Sequence, residues 1–438
     1  MTTRRDFLKN SAMLTAAAMA GVAGAPKFTF AQQAGGKTFI KVFMRGGADG
    51  LHLFPAVGDM AYLGNELRPR LRIEPGEGAD EAHPLQGTTY RAINPNLTLL
   101  REIWQDGRMM ISPATFFEGG GQSHFDNQRW IGNGARSNLI EGYLNRYLQQ
   151  TSNSAHPIRG AVTGKTSISQ ELSGPVTVPA IRDTAGFNLT NSDFCEGTGC
   201  ADNQLTEYMS KIGSHNIDLS AMEGQTREAQ LIMIESIEDV QRAGLNYVED
   251  AGGMTYSRSG LGQGLKLVAQ LLKAGVPLEV AALDWNIGWD THSDQIADGA
   301  NPFSDPNKGY HSKMQEGARD FVTFYRDMSG TIDNVIVLVC TEFGRTIREN
   351  GTSGTDHGNA GAWFAFGGPT TQLMAADVDD IGLAAAVEQR NYLPLRVDYR
   401  NIVAEIMMKH MGLPENVLGT IFPGFTAQNL NLFQRNVA

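Results

Sequence analysis

Residues 335–345 read Val335-Ile336-Val337-Leu338-Val339-Cys340-Thr341-Glu342-Phe343-Gly344-Arg345. An unbroken apolar run rich in β-branched residues suits a strand buried on both faces, and the change to Thr341-Glu342 at its carboxyl end is abrupt. Before it, Met314, Ala318, Phe321 and Tyr325 share one side of a helical stretch from about His311 to Met328. The same pairing stands further upstream. Leu261, Leu265, Val268 and Leu272 share a helix face, Gly275 terminates it, and Leu278 to Leu283 follows as a strand. Nearer the start, Lys37 to Met44 is β-rich and runs into the glycine loop Arg45–Gly50. Asn94-Pro95 then opens the stripe Leu97, Leu100, Ile103 and Trp104, which closes at Asp106-Gly107 before a short strand, Met109 to Ser112. Helix followed by continuous apolar strand, repeated, predicts an α/β fold: a doubly wound, mostly parallel sheet with helices on both faces.

Residues 113–260 are less regular, with one helix expected near Thr226 to Arg242, and read as insertions around the sheet. Asp398 to Met411 reads as an N-capped helix. A chain of 438 residues, 41% of them apolar, can bury one large core. Its formal charge of −11, with no cluster of Lys and Arg, speaks against nonspecific nucleic-acid binding and against a basic membrane-binding patch.

The amino terminus reads as an address. Thr3-Arg4-Arg5-Asp6-Phe7-Leu8-Lys9 precedes a weakly apolar, Ala-rich run from Ser11 to Ala25 and small-residue cleavage positions at Ala25 or Ala31. This is the pattern of a twin-arginine export signal. The run is shorter than the roughly 20 residues that span a bilayer, so release and not anchoring is expected. The expected organisation is a signal peptide at 1–31 and a single α/β domain at 32–438, handled by the twin-arginine machinery and delivered to the periplasm or outside. Cleavage would remove four basic residues and one acidic residue and take the net charge from −11 to −14. Cys195 and Cys200, in a glycine loop, are either a disulfide or free thiols, and Cys340 reads as a small core residue.

In open α/β sheets ligands bind beyond the carboxyl ends of strands. There the sequence places Asp49; the loop Gly121-Gln122-Ser123-His124-Phe125-Asp126; Asp290-Thr291-His292; and Glu342, followed by Arg345 and Asp356-His357. Carboxylates and imidazoles converging from several strands suit one or two divalent ions (Zn, Mg, Mn or Ca), and a hydroxyl beside such ions becomes a usable nucleophile. The combination suits attack on a small anionic phosphate or sulfate ester. Each residue also has a plainer role open to it. Asp49 between glycines is a turn former, Ser123 a helix N-cap, Asp290 and His292 a loop ion pair, and Asp356-His357 a loop hydrogen-bond pair. Arg345 pairs with Glu342 or binds the substrate anion.

The segments Arg45–Leu51 (RGGADGL), Gln122–Gln128 (QSHFDNQ), Trp289–Gln295 (WDTHSDQ), Thr341–Gly361 and the C-terminal DYRNIVAEIM…FPGF resemble the exported bacterial family known as domain of unknown function 1501. The family is usually placed in the alkaline phosphatase and sulfatase superfamily. The resemblance implies an alkaline phosphatase-like fold, Asp49, Asp290, His292, Glu342 and His357 as metal ligands, and Ser123 as nucleophile. Phe343 stands where metal-rich superfamily members carry a histidine, and the Asp290-to-His292 spacing is tighter than in phosphatases. No cysteine near Ser123 offers a formylglycine. One complete metal site is therefore the safer expectation. The alternative is a protein of the same fold that binds a partner or polymer through a degenerate site.

Overall fold

A computed structural model describes residues 36–151, 158–184 and 236–433. The leader, Cys195 and Cys200, and most of the helix expected at 226–242 lie outside the described residues, although 236–245 is helical.

The strands of the main sheet are β1 (Thr38–Met44), β2 (Met109–Phe116), β3 (Gly160–Thr163), β4 (Ala180–Ile181), β5 (Val280–Asp284), β6 (Val335–Thr341), β7 (Gly361–Gly367), β8 (Leu373–Met374) and β9 (Val397–Asp398). They form one sheet in the order β8-β2-β7-β6-β1-β5-β3-β4, with β9 paired to β2. All pairings are parallel except those of β7, which runs antiparallel to both β2 and β6. The α/β sheet expected from the helix-strand repeats is thus present. The stretch 113–260 is not wholly insertion, because β3 and β4 within it extend the sheet beside β5.

Side chains alternate across each strand, and every strand of the sheet's middle is buried on both faces. From β1, Ile40, Val42 and Met44 enter one core with Leu265 and Val268 of helix α4 (Gly260–Lys273) and Phe321 of helix α5 (Gly309–Asp327). Phe39 and Phe43 enter the opposite core with Leu144 and Leu148 of helix α3 (Tyr143–Gln150) and Ile402 of helix α7 (Tyr399–Glu405). Each such side chain contributes about 1.5–3 kcal/mol by leaving water, which outweighs any local propensity. The stripe at Leu97–Trp104 is a 3₁₀ turn, Pro95–Leu100, running into helix α1 (Arg101–Gln105). Helix α2 (His124–Asn133) and helix α6 (Gly382–Arg390) are further helices among the described residues. No described helix is long and apolar enough to cross a membrane.

β7 reads Gly-Ala-Trp-Phe-Ala-Phe-Gly, with glycines at both ends that resemble turn signals, which is why sequence patterning passes over it. Its direction matters for the site. The segment 342–360 leaves β6 at the carboxyl edge and returns to the same edge, the one at which open α/β sheets generally bind ligands.

Asp49 caps the helical turn Gly50–Leu53 through the Leu51 N–H. It is also buried against Arg68, whose Nη1 and Nη2 donate to its two oxygens at 2.7 and 3.0 Å. Burial raises the carboxyl pKa, but the Arg68 charge and hydrogen bonds outweigh it and hold Asp49 below its ordinary value. Three residues on, His52 is fully buried with neither ring nitrogen bonded to a described protein group. Burial depresses its pKa from 6.5 to about 3, and that of His410 to about 4. The unfolded chain therefore binds more protons than the native one below pH 6.5, and stability is lost as pH falls through that window. Equilibrium urea unfolding at pH 6.5 and pH 5 checks this: a His52→Leu variant should lose about 2 kcal/mol less than the wild type on that step. Equal losses in the two proteins would contradict a neutral buried His52.

Candidate metal centre

Four loops at the carboxyl edge meet over β6 and its neighbours. The turn before α2 is set by Asn127, whose Nδ2 donates to Gly121 O and Ser123 O while its Oδ1 accepts from Gly121 N. Ser123 then caps α2 in an extended conformation, accepting from Asp126 N–H at a long 3.4 Å, and remains exposed. The loop after β5 is anchored by Trp289, fully buried and edge-on to Trp285 with ring centroids 4.8 Å apart. Gly354 packs so closely on this loop that a Cβ there would lie 2.3 Å from the His292 carbonyl carbon.

These loops bring His124, Asp290 and His357 together, with one ligand atom from each lying within 4.8 Å of the others. His124 Nε2 is 3.0 Å from His357 Nε2 and 3.4 Å from Asp290 Oδ2, and His357 Nε2 is 3.3 Å from Asp290 Oδ1. His292 joins at the outer side, its Nε2 3.1 Å from both His357 Nε2 and Asp290 Oδ1. Side-chain exposures of 23–47% put the group at the surface, open to solvent.

The other ring nitrogens decide which way each imidazole faces. His124 Nδ1 donates to Glu342 Oε1 at 2.8 Å, His292 Nδ1 to Asp356 Oδ1 at 3.1 Å, and His357 Nδ1 to the Gln122 carbonyl at 2.9 Å. A carbonyl or an ionised carboxylate only accepts, so each Nδ1 carries the hydrogen and each neutral ring turns a lone pair inward. Burial raises Asp356 and Glu342, but the hydrogen bonds from His292 and from His124 with Gln128 outweigh it and keep both carboxyls below their ordinary values. The Glu342 hydrogen bond in turn raises His124 above its ordinary pKa, whereas burial lowers His357. Lone pairs facing one another at 3.0–3.1 Å repel unless a proton or cation lies between them. A tetrahedral ion with metal–nitrogen bonds of about 2.0–2.1 Å sets its ligand atoms about 3.3 Å apart, which these separations match. Imidazoles whose far nitrogens are tied to carboxylates and a carbonyl are the usual outer shell of such sites. The donor set therefore fits a divalent cation.

Among the residues expected at the site, Asp290, His292 and His357 are brought together. Glu342 is fully buried and reaches the group only through His124, its Oε1 also accepting from Gly46 N–H and Gln128 Nε2. Asp49 stands apart from the group. Its oxygens are occupied by Arg68, Gln295 and Leu51 N–H, so its role is to tie loops together. Arg345 is buried and its guanidinium donates to Gly46 O, Gly47 O, Trp289 O, Thr355 O and Asp290, with Nη1 also 3.4 Å from His292 Nε2. Five N–H groups are fully engaged by these acceptors, which leaves none for a substrate anion in this conformation. Phe343 packs its ring at 4.7 and 4.8 Å from the His124 and His357 rings and closes the floor of the site. Among the described residues one such ligand group exists.

His124 is the member of this group that sequence reading did not single out. It follows Ser123 in the same turn, and the signal was available in a histidine placed at the first position of a helix beyond a strand end.

Among solved structures the chain is similar to the lipoteichoic acid synthase LtaP from Listeria monocytogenes, at 10% identity over 81% of this chain and 71% of that one, with a TM-score of 0.30. The soluble domain of lipooligosaccharide phosphoethanolamine transferase A from Neisseria meningitidis is similar at 10% identity, over 92% and 90% of the two chains, with a TM-score of 0.33. A protein in the alkaline phosphatase superfamily from Vibrio parahaemolyticus is similar at 9% identity, over 84% and 71%, with a TM-score of 0.31. At such identities the chemistry rests on this chain's own residues. No curated protein matches the sequence. The profile of the family described as "Protein of unknown function (DUF1501)" matches residues 122–421, a span that contains His124, Asp290, His292, Glu342 and His357, and the chain belongs to that family.

Proposed function

We propose that the protein is an exported, metal-dependent enzyme that cleaves or transfers small phosphate or sulfate esters, with His124, Asp290 and His357 holding the cation and His292 at its outer side. The observation that carries this reading is the inward convergence of three imidazole Nε2 atoms on Asp290 while every Nδ1 is bound to an acceptor. Nitrogen-rich donors favour a zinc-like ion over Mg or Ca, which prefer all-oxygen shells. A bound divalent cation would supply Lewis-acid polarisation of an ester oxygen. Glu342 fixes the His124 tautomer, and Gln122 and His357 clamp each other across the site, with Gln122 Nε2 donating to His357 O at 3.0 Å. Ser123, exposed at the N-terminus of α2 and next in sequence to His124, is the nucleophile of this reading. Its oxygen accepts only a long bond from Asp126 and is free to attack an anionic ester held at the positive end of the helix.

The contact of Arg345 with Asp290 favours a second reading. A guanidinium on a ligand carboxylate weakens cation binding, as expected of a site kept for holding a partner or polymer without turnover.

Elemental analysis of purified protein should give about one zinc-like ion per chain, lost in His124→Ala and kept in Ser123→Ala. Glu342→Gln should weaken the ion about 10–100-fold in a chelator competition. Protein that takes up no divalent ion would end the metal reading. On aryl phosphate and aryl sulfate esters, Ser123→Ala should lose at least about 100-fold in turnover. Unchanged rates would assign attack elsewhere, and background rates in the wild type with metal bound would favour the second reading. For export, replacing Arg4 and Arg5 by Lys should leave the precursor in the cytoplasm, and undiminished export would rule out the twin-arginine route.

A further inference from the structure

Beside the metal centre, over the ends of β1, β5 and β3, lies a second group of charges that the reading above does not use. Arg45 follows β1, Asp284 ends β5 and Lys165 stands just past β3. Arg45 Nε donates to Asp284 Oδ2 at 3.0 Å and Lys165 Nζ to the same oxygen at 2.7 Å, so a single carboxylate serves two cations. The neighbouring Lys41 does not alter this balance. It is buried in β1, where an unpaired charge would cost several kcal/mol, and is matched by buried Glu171 at 3.3 Å. Glu342 on the other side is held by donors of its own, His124, Gln128 and Gly46 N–H, and accepts from neither Arg45 nor Lys165. What remains is an arginine and a lysine sharing one carboxylate, with N–H groups left over, in a protein whose overall charge is −11.

The two cations are held in place and reachable. The Arg45 guanidinium lies on the Phe43 ring at 4.8 Å, and its Nη1 donates to Gln128 Oε1 at 3.0 Å. Nη2 has no acceptor among the described residues, and Lys165 uses one of its three N–H groups. Side-chain exposures of 29% and 19% leave both open to solvent yet partly desolvated, where a charged contact is worth more than in water. A short path joins them to the metal group, because Gln128 Nε2 donates to the Glu342 oxygen that accepts from His124.

We propose that Arg45 and Lys165 form an oxyanion subsite beside the metal centre, taking a second anionic group, such as a carboxylate, phosphate or sulfate, of a substrate whose ester lies at the metal. Its bearing on substrate class rests on the metal-centre reading, whereas the subsite itself does not. The substrates favoured are esters carrying an additional negative charge, in preference to simple neutral-tailed ones.

Calorimetric titration of inorganic phosphate into full-length mature protein stripped of metal by chelator tests the subsite alone. Saturable binding is expected in the wild type and in His124→Ala. Arg45→Met and Lys165→Met should each bind about tenfold more weakly, while Arg45→Lys, which keeps the charge, should stay close to wild type. Far-ultraviolet circular dichroism checks that each variant is folded, and should Arg45→Met fail to fold, Lys165→Met decides. Absence of saturable phosphate binding in the wild type, or equal binding by the methionine variants, would overturn the proposal. Metal content measured on the untreated samples reports separately on the metal centre, so either reading can fail without the other.

Discussion

One guanidinium holds the loops at the carboxyl edge of the sheet together. Arg345 donates to carbonyls of the loop after β1 (Gly46, Gly47), the loop after β5 (Trp289) and its own loop after β6 (Thr355), and to the carboxylate of Asp290. The delocalised, planar cation satisfies several buried carbonyls at once, which a lysine could not reproduce. The accepting backbone is glycine with positive φ: Gly46 and Gly47 have φ of +126° and +69°, and a Cβ on Gly47 would lie 2.4 Å from the Phe343 ring. The Asp49–Arg68 pair is a second clamp of the same kind, since Arg68 also donates to the Thr346 and Ile347 carbonyls and Asp49 accepts from Gln295. The acids and bases at the carboxyl edge thus divide into those that build loops and those that face solvent.

That division explains how far the sequence could be read. The strands with dense apolar runs, β1, β5 and β6, declare themselves because burial on both faces leaves no room for polar alternation. β3 is four residues long and β7 is bracketed by glycines, so neither has enough pattern to be seen before the sheet exists to receive it. Position at a strand end picks out Asp290, His292 and His357, which folding brings side by side. It could not separate them from Asp49 and Arg345, because the partners that draw those two inward, Arg68 and the loop carbonyls, are brought close only by folding. His124 is hard to see in the sequence because it is the first residue of a helix capped by Ser123, and the partners that orient it, Glu342 and His357, lie more than 200 positions away.

The surroundings of the ligand group are electrostatically mixed. Asp290 faces the cationic Arg345, Glu342 faces His124, and an apolar ring, Phe343, backs two of the imidazoles. Such an arrangement holds each imidazole in one orientation before any ion arrives, so little ordering remains to be done on binding.

The ligand group is also assembled from widely separated parts of the chain: His124 and His357 are 233 positions apart, and Glu342 lies 218 from His124. An unfolded chain offers no such cluster, so an ion that binds here binds the native state almost exclusively. Mass action then stabilises the fold by about 2.7 kcal/mol when free ion exceeds its dissociation constant a hundredfold, and withdraws that support when the ion is scarce. The centre would make the stability of the folded protein depend on the metal supply around it, in addition to any chemistry performed there.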